Sequence, residues 1–246
     1  MSIRPRLLAL ASASALLPAF LGISALPSWA IPTLTDAHPI PIGAVQGAGT
    51  TSPYAGRTVV VQGVVTGDFQ GENQLGGVFI QDSGDGDEDT SDGIFIHDKG
   101  TNDLEAGDRV QVKGKVSEYK DQTQITPTAV EKLDGGDAVA PLELNIPVSD
   151  WERHEGMLLR FPQSLSILDS HNFDRYGELT YGTDRQWAPT GIVDPGQPAI
   201  DLLASNNANR LTVDDGRTSQ NPTPAIHPNG KPMAKDNYFR SGDQVT

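Results

Sequence analysis

The chain has 246 residues, 37% of them hydrophobic, no cysteine, and a formal charge of −14 at pH 7 from 18 basic and 32 acidic residues. That length can bury a core without disulfides. So acidic a surface works against broad, non-specific binding to nucleic acid or anionic lipid, and any nucleic-acid contact has to be local or metal-assisted. Residues 1–30, MSIRPRLLALASASALLPAFLGISALPSWA, carry two arginines, a run of small and aliphatic residues, and Ser28-Trp29-Ala30 as a small-x-small cleavage site. This is the three-part layout of a secretory signal peptide. The run is short, is broken by Pro18 and Pro27, and is followed by no second hydrophobic span, which speaks against a retained anchor. The mature chain is expected to begin at Ile31, to be secreted (extracellular or periplasmic), and to have no membrane contact after signal removal. Loss of Arg4 and Arg6 takes the charge to −16.

Residues 31–54 are rich in Pro, Gly and small polar residues and read as an extended lead-in that packs on the first domain. From Thr58 the texture changes to short Val/Ile/Phe-rich runs, RTVVVQGVVTGDF, GGVFIQD, GIFIHD and DRVQVKGKVSEY, separated by Gly, Asp and Asn clusters. That spacing predicts an all-β barrel or sandwich. Gly63 and Gly114 inside the runs suit the bends of long strands curving around a small barrel, which favours an OB-like five-stranded barrel over residues 55–135.

Between two of these runs lies DSGDGDEDTSDG, residues 82–93, with six acidic residues in twelve. Asp85, Asp87 and Asp89 alternate as at the start of a calcium loop, but Thr90 stands where that loop has Gly and Ile96 where it has a bidentate Glu. Two readings follow: a weak calcium site, or a solvated hairpin connection turned by Gly84, Gly86 and Gly93. The incomplete ligand set favours the second.

Further on, EGMLLRFPQSLSILDSHNF from Glu155 repeats the order of features in AGRTVVVQGVVTGDF from Ala55, and FRSGDQVT answers LEAGDRVQVKG. The chain is therefore expected to hold one complete barrel and a second β domain over 150–246. That second domain looks incomplete at its C-terminus, because nothing there answers VKGKVSEY.

Several long stretches in the same order carry a resemblance: QGAGTTSPYAGRTVVVQGVVTGDF, GVFIQDSGDGDEDTSDGIFIHD, GDRVQVKGKVSEYKDQTQIT and WERHEGMLLRFPQSLSILDSHNFDRYGEL. The region from about residue 43 to 246 resembles the part ahead of the catalytic domain in secreted bacterial nucleases of the endonuclease/exonuclease/phosphatase, or DNase I-like, superfamily. The most specific stretches are TSDGIFI, VSEY with TQIT soon after, and EGMLLRF followed by RYGEL. The resemblance implies an OB-fold module in a secreted enzyme that degrades extracellular DNA, with a phosphodiesterase domain downstream that takes magnesium or calcium.

No catalytic residue is assigned within the chain. That family's late Ser-Asp-His has no counterpart here, and Asp169-Ser170-His171 has the letters in another order. The five histidines are scattered singly, there is no cysteine nucleophile, and neither a G-x-S-x-G elbow nor a phosphate loop is present. OB folds hold single strands by stacking bases on aromatics and tracking phosphates with Lys or Arg. The candidates for single-stranded or extracellular DNA are Phe69, Phe79, Phe95, His97, Lys113, Lys115 and Tyr119. Alternation sets Phe79 opposite Val78 and Ile80, and Phe95 opposite Ile94 and Ile96, without saying which face is core. Two function classes remain open: the non-catalytic front of a secreted DNase whose partners are DNA and its own downstream catalytic domain, or a free-standing exported barrel that binds carbohydrate, protein or calcium.

Overall fold

The computed structural model describes residues 38–136 and 138–245. The expected signal peptide and its expected cleavage point after Ala30 lie outside the described residues. What is described of the lead-in is not simply extended. Helix α1 (Ile42–Gln46) follows Pro41 and ends at Gly47, whose φ is +77°. Ile42 and Val45, three residues apart on one helical face, are fully buried in the barrel core. A Cβ on Gly43 would lie 2.6 Å from Thr90 Oγ1, so the glycine lets the helix sit close against the acidic turn.

Strands β1 (Thr58–Phe69), β2 (Gly77–Gln81), β3 (Gly93–Ile96), β4 (Arg109–Tyr119) and β5 (Gln122–Leu133) form a closed barrel in the order β1-β2-β3-β5-β4. The first half of β1 pairs with β4 and the second half with β2, with a bulge between Val65 and Gly67 where the strand changes partner. Val59, Val61 and Val65 alternate inward along β1 and meet Val78, Ile80, Ile94, Ile96, Val110, Val112, Val116 and Ile125 in one core. Of the two glycines expected to bend strands, Gly114 sits where β4 shifts register against β5, and a Cβ there would run into Thr126 O. Lys120 and Asp121, with φ of +53° and +63°, make the two-residue hairpin between β4 and β5.

After the barrel, β6 (Leu142–Glu143) pairs in parallel with β7 (Leu159–Arg160). Then come β8 (Leu165–Asp169), the short helix α2 (Phe173–Tyr176), β9 (Leu179–Gly182), helix α3 (Gln197–Ala208), β10 (Leu211–Val213) and β11 (Gln244–Val245). The sheet order is β10-β9-β8-β11. Removing β5 from the first barrel leaves β3-β2-β1-β4, the same order, and the registers agree residue by residue. Val65 pairs with Ile80 just before the bulge in β1; Ile167 pairs with Tyr181 just before the bulge in β8. Val65 exchanges backbone bonds with Gly107 and Asp108, at 2.8 and 2.9 Å; Ile167 does so with Gly242 and Asp243, at 2.7 and 2.9 Å. Gly107 and Gly242 share a left-handed φ, +99° and +96°, a conformation that favours glycine. The repeat read from the sequence is thus a repeat of pairing geometry.

Among the described residues, loops and the short helix α2, not a fifth strand, pack on the second core. Ile146, Leu165, Ile167, Phe173, Leu179 and Tyr181 are each 6% exposed or less, packed under Phe161, Met233 and Phe239. The link between β10 and β11 runs over residues 214–243, whereas the matching link in the first barrel spans only 97–108. No helix among the described residues is long and apolar enough to cross a membrane.

Candidate nucleic-acid interface

Because Val78, Ile80, Ile94 and Ile96 point inward, Phe79 and Phe95 face outward, and they stand side by side across the β2–β3 ladder. Phe69 at the end of β1 and His97 just beyond β3 extend them into a row. Neighbouring ring centroids are 5.9 Å (Phe69 to Phe79, edge-on), 4.9 Å (Phe79 to Phe95) and 6.4 Å (Phe95 to His97). These are spacings at which aromatic pairs attract. Facing out does not leave the row bare: Phe95 is 5% exposed, and a Cβ on Gly216 would lie 2.6 Å from Phe69 Cε1. Part of the row is therefore packing between the barrel and the long 214–243 link.

At its His97 end the row opens into a cleft of about 860 Å³. Phe95, His97 and Lys99 line it from β3 and just beyond, Tyr119 and Lys120 from the β4–β5 hairpin, and Gln70, Gln74, Gln122 and Gln124 also border it, the Gln70 amide being held by bonds with Asp98 O, Asn102 O and Leu104 N. Thr218 joins from the second region, where its N–H bonds Asn73 O at 2.6 Å. Tyr119 is 57% exposed, and Lys120 Nζ lies 5.5 Å from the centre of its ring, within cation–π range. No carboxylate lines the cleft. The nearby Asp98 is buried, its oxygens accepting from Thr101 N at 3.0 Å and Asn102 Nδ2 at 2.7 Å.

Lys113 and Lys115 are not part of this arrangement. Both are exposed on β4, opposite Val60 and Thr58 of β1, and neither lines the cleft. The basic groups that do, Lys99 and Lys120, were not singled out by the sequence. The signal for Lys120 was its place in the turn between VSEY and TQIT, since hairpin tips at barrel ends are where such folds carry their contacts.

The acidic turn folds as successive Asx turns. Asp82 accepts from Gly84 N at 2.9 Å, Asp85 from Asp87 N at 3.0 Å, and Asp87 from Asp89 N at 3.0 Å. Asp82 also accepts from Ile42 N at 2.8 Å, and Asp89 pairs with Arg153 at 2.7 Å. Asp85, Asp87 and Asp89 thus each engage a different partner through one oxygen: Asp87 N, Asp89 N and Arg153. No group of three or more metal-ligating side chains converges among the described residues.

A third feature escaped the sequence altogether. Residues 154–159 lie across the barrel as a strap. Glu155 accepts from Thr123 N at 2.9 Å and Gln46 Nε2 at 3.3 Å, Ser91 Oγ donates to Glu155 O at 2.6 Å, and Leu158 N donates to Gln81 Oε1 at 2.9 Å. Burial, abetted by Glu152 and Glu118, raises the Glu155 pKa above the ordinary glutamate value, although its hydrogen bonds pull the other way. The folded state therefore favours the protonated form. The resulting stability is full below the unfolded-state pKa and is lost as pH rises through the higher folded one. Glu155→Gln is neutral throughout, and its amide oxygen can keep both donors. The expected result is a thermal midpoint that matches the native chain near pH 4 and exceeds it increasingly toward pH 7. A gap that does not change with pH would contradict this.

No family model and no curated protein matches the chain. Among solved structures, one titled "OBody AM1L10 bound to hen egg-white lysozyme" is similar to 34% of this chain and 84% of its own, at 21% identity and a TM-score of 0.25.

Proposed function

We propose that this chain is the non-catalytic part of a secreted DNase and holds single-stranded DNA in the cleft beside β3 and the β4–β5 hairpin. One observation carries the proposal: in a chain of charge −14, the cleft combines an exposed aromatic face with two lysines and a histidine, and no carboxylate lines it. Tyr119 offers a base a face to stack on, Lys99 and Lys120 neutralise the phosphates on either side, and the amides of Gln122 and Gln124 suit polar contacts that tolerate any sequence. The tie to a DNase rests on the motif stretches TSDGIFI, VSEY with TQIT, and EGMLLRF. On this reading the phosphodiesterase domain and its magnesium or calcium lie elsewhere in the parent protein, and the barrel feeds it substrate.

Fluorescence anisotropy with a labelled oligothymidylate at low salt tests the proposal. Tyr119→Ala should weaken binding about 5- to 150-fold, the range for one lost stacked base of about 1–3 kcal/mol. Lys99→Gln and Lys120→Gln should each lower the slope of log K against log salt by about 0.7. Lys113→Gln should leave the slope alone. Absence of binding, or a Tyr119→Ala variant that binds as the native chain does, would refute the proposal. Capture of an oligosaccharide in place of the oligonucleotide would move the chain to the second function class.

A further inference from the structure

Gln122 borders two clefts, the one just described and a smaller one of about 430 Å³. The barrel side of the smaller cleft is made by Phe69, Phe79 and Thr66, its far side by His154 and the strap residues Met157 and Leu158. The aromatic row runs from one cleft into the other, with Phe95 and His97 in the first and Phe69 and Phe79 in the second, and the two middle rings are 4.9 Å apart. We infer that the smaller cleft is a second base-binding slot, continuous with the first, so that the site takes a longer single strand than the barrel hairpin alone could hold. The inference rests on the proposed reading of the first cleft.

The chemistry of the walls sets what enters. No lysine, arginine or carboxylate lines the slot, so it is suited to a base rather than a phosphate. Phenylalanine edges on one side and the Met157 and Leu158 side chains on the other fit a flat aromatic ring, with a thioether able to adapt to its outline. Thr66, Gln122 and His154 supply the polar groups of the lining, and burial holds the His154 ring toward its neutral form, in which one nitrogen donates and the other accepts. The far wall is preformed. Leu158 N is bonded to Gln81, Glu155 to Thr123, and Gly156 packs directly on the backbone of Gly93, so the strap need not be ordered when a strand arrives.

The experiment is a length series of labelled oligothymidylates of two, three, five and eight nucleotides, titrated against the native chain, Met157→Asp, Thr66→Glu and Met157→Leu. The native chain should bind the five-nucleotide probe about 5- to 150-fold more tightly than the two-nucleotide probe, the gain for a further stacked base, with little added at eight. Met157→Asp puts a charge in the slot from the strap side and Thr66→Glu from the barrel side. Each should bring the five-nucleotide affinity down to the two-nucleotide level without changing the latter, and Met157→Leu, which keeps the wall apolar but loses the thioether, should keep the length dependence with a smaller gain. Equal affinity for two and five nucleotides in the native chain, or charged variants that keep the length dependence, would overturn the second slot while leaving the first cleft standing. Failure of every length to bind would overturn both.

Discussion

Ile94→Ala is expected to destabilise the barrel by about 2–5 kcal/mol, the range for losing a branched aliphatic side chain from a filled core. Ile94 is fully buried at the middle of β3, paired with Ile80 and surrounded by the inward valines and isoleucines of the other strands. β3 is four residues long and carries two such inward side chains, Ile94 and Ile96, so the loss removes half of what that strand gives the core. The void opens among apolar groups, where water has no polar partners to bond. The urea midpoint should fall with little change in the m-value, and the thermal midpoint should drop by roughly 4–20 °C for a chain of this size. Ile94→Val leaves most of the volume filled and should cost about 0.5–1.5 kcal/mol. An alanine variant no less stable than the valine variant would show that β3 is not held by its core side chains.

Gly93→Ala should have the next largest effect, by the opposite route. A Cβ on Gly93 would collide with C and O of Gly156 and lie 2.6 Å from Met157 N. These are backbone atoms, so no rotamer change can relieve the clash, and overpacking of this kind costs about 1–3 kcal/mol or more. Because β3 is tied to β2 by four residue pairs and carries two core side chains, whereas the strap is held there by a few side-chain bonds, the strap is the side that gives way. Hydrogen exchange should therefore quicken at the amides of Leu158 and Thr123, whose acceptors are on or under the strap, while Val65 and Val116 in the barrel ladder keep their protection. Native-like protection at Leu158 in this variant would mean that the glycine contact is not what holds the strap. Gly156→Ala adds a second strain, because Gly156 sits at φ +70°.

These two glycines show what the sequence revealed and what it hid. The stretches TSDGIFI, VSEY with TQIT, and EGMLLRF are far apart in the chain and meet at one place. Ser91 and Gly93 of the first touch Glu155 and Gly156 of the third, and Glu118 and Thr123 of the second bond each other, with Thr123 N also bound to Glu155. The motifs were visible as letters, but that they form one structural knot was not, because side-chain contact across so many intervening residues leaves no periodicity behind. The barrel itself was legible, since period-two alternation in β1 and β4 and the Gly-Asp turns are local signals. That Phe79 and Phe95 face away from the core was not, because a face is chosen by what packs against it. The lysines followed the same rule: Lys113 and Lys115 sit on a recognisable strand, whereas Lys99 and Lys120 sit in turns whose position over the cleft depends on barrel closure.

That closure is uneven. β4 and β5 are joined by eleven antiparallel residue pairs, but β3 and β5 are joined in parallel by only two, Phe95 with Gln124 and Ile96 with Ile125, helped by one bond from His97 N to Ile125 O at 2.9 Å. A ring of strands parts first along its shortest seam, so excursions from the closed state begin there and leave the rest of the ladder standing. The large cleft straddles this seam, with Phe95 and His97 on one lip and Gln122 and Gln124 on the other. A strand lying in the cleft would stitch the two lips together, and tightening of the barrel would accompany occupancy as the same event.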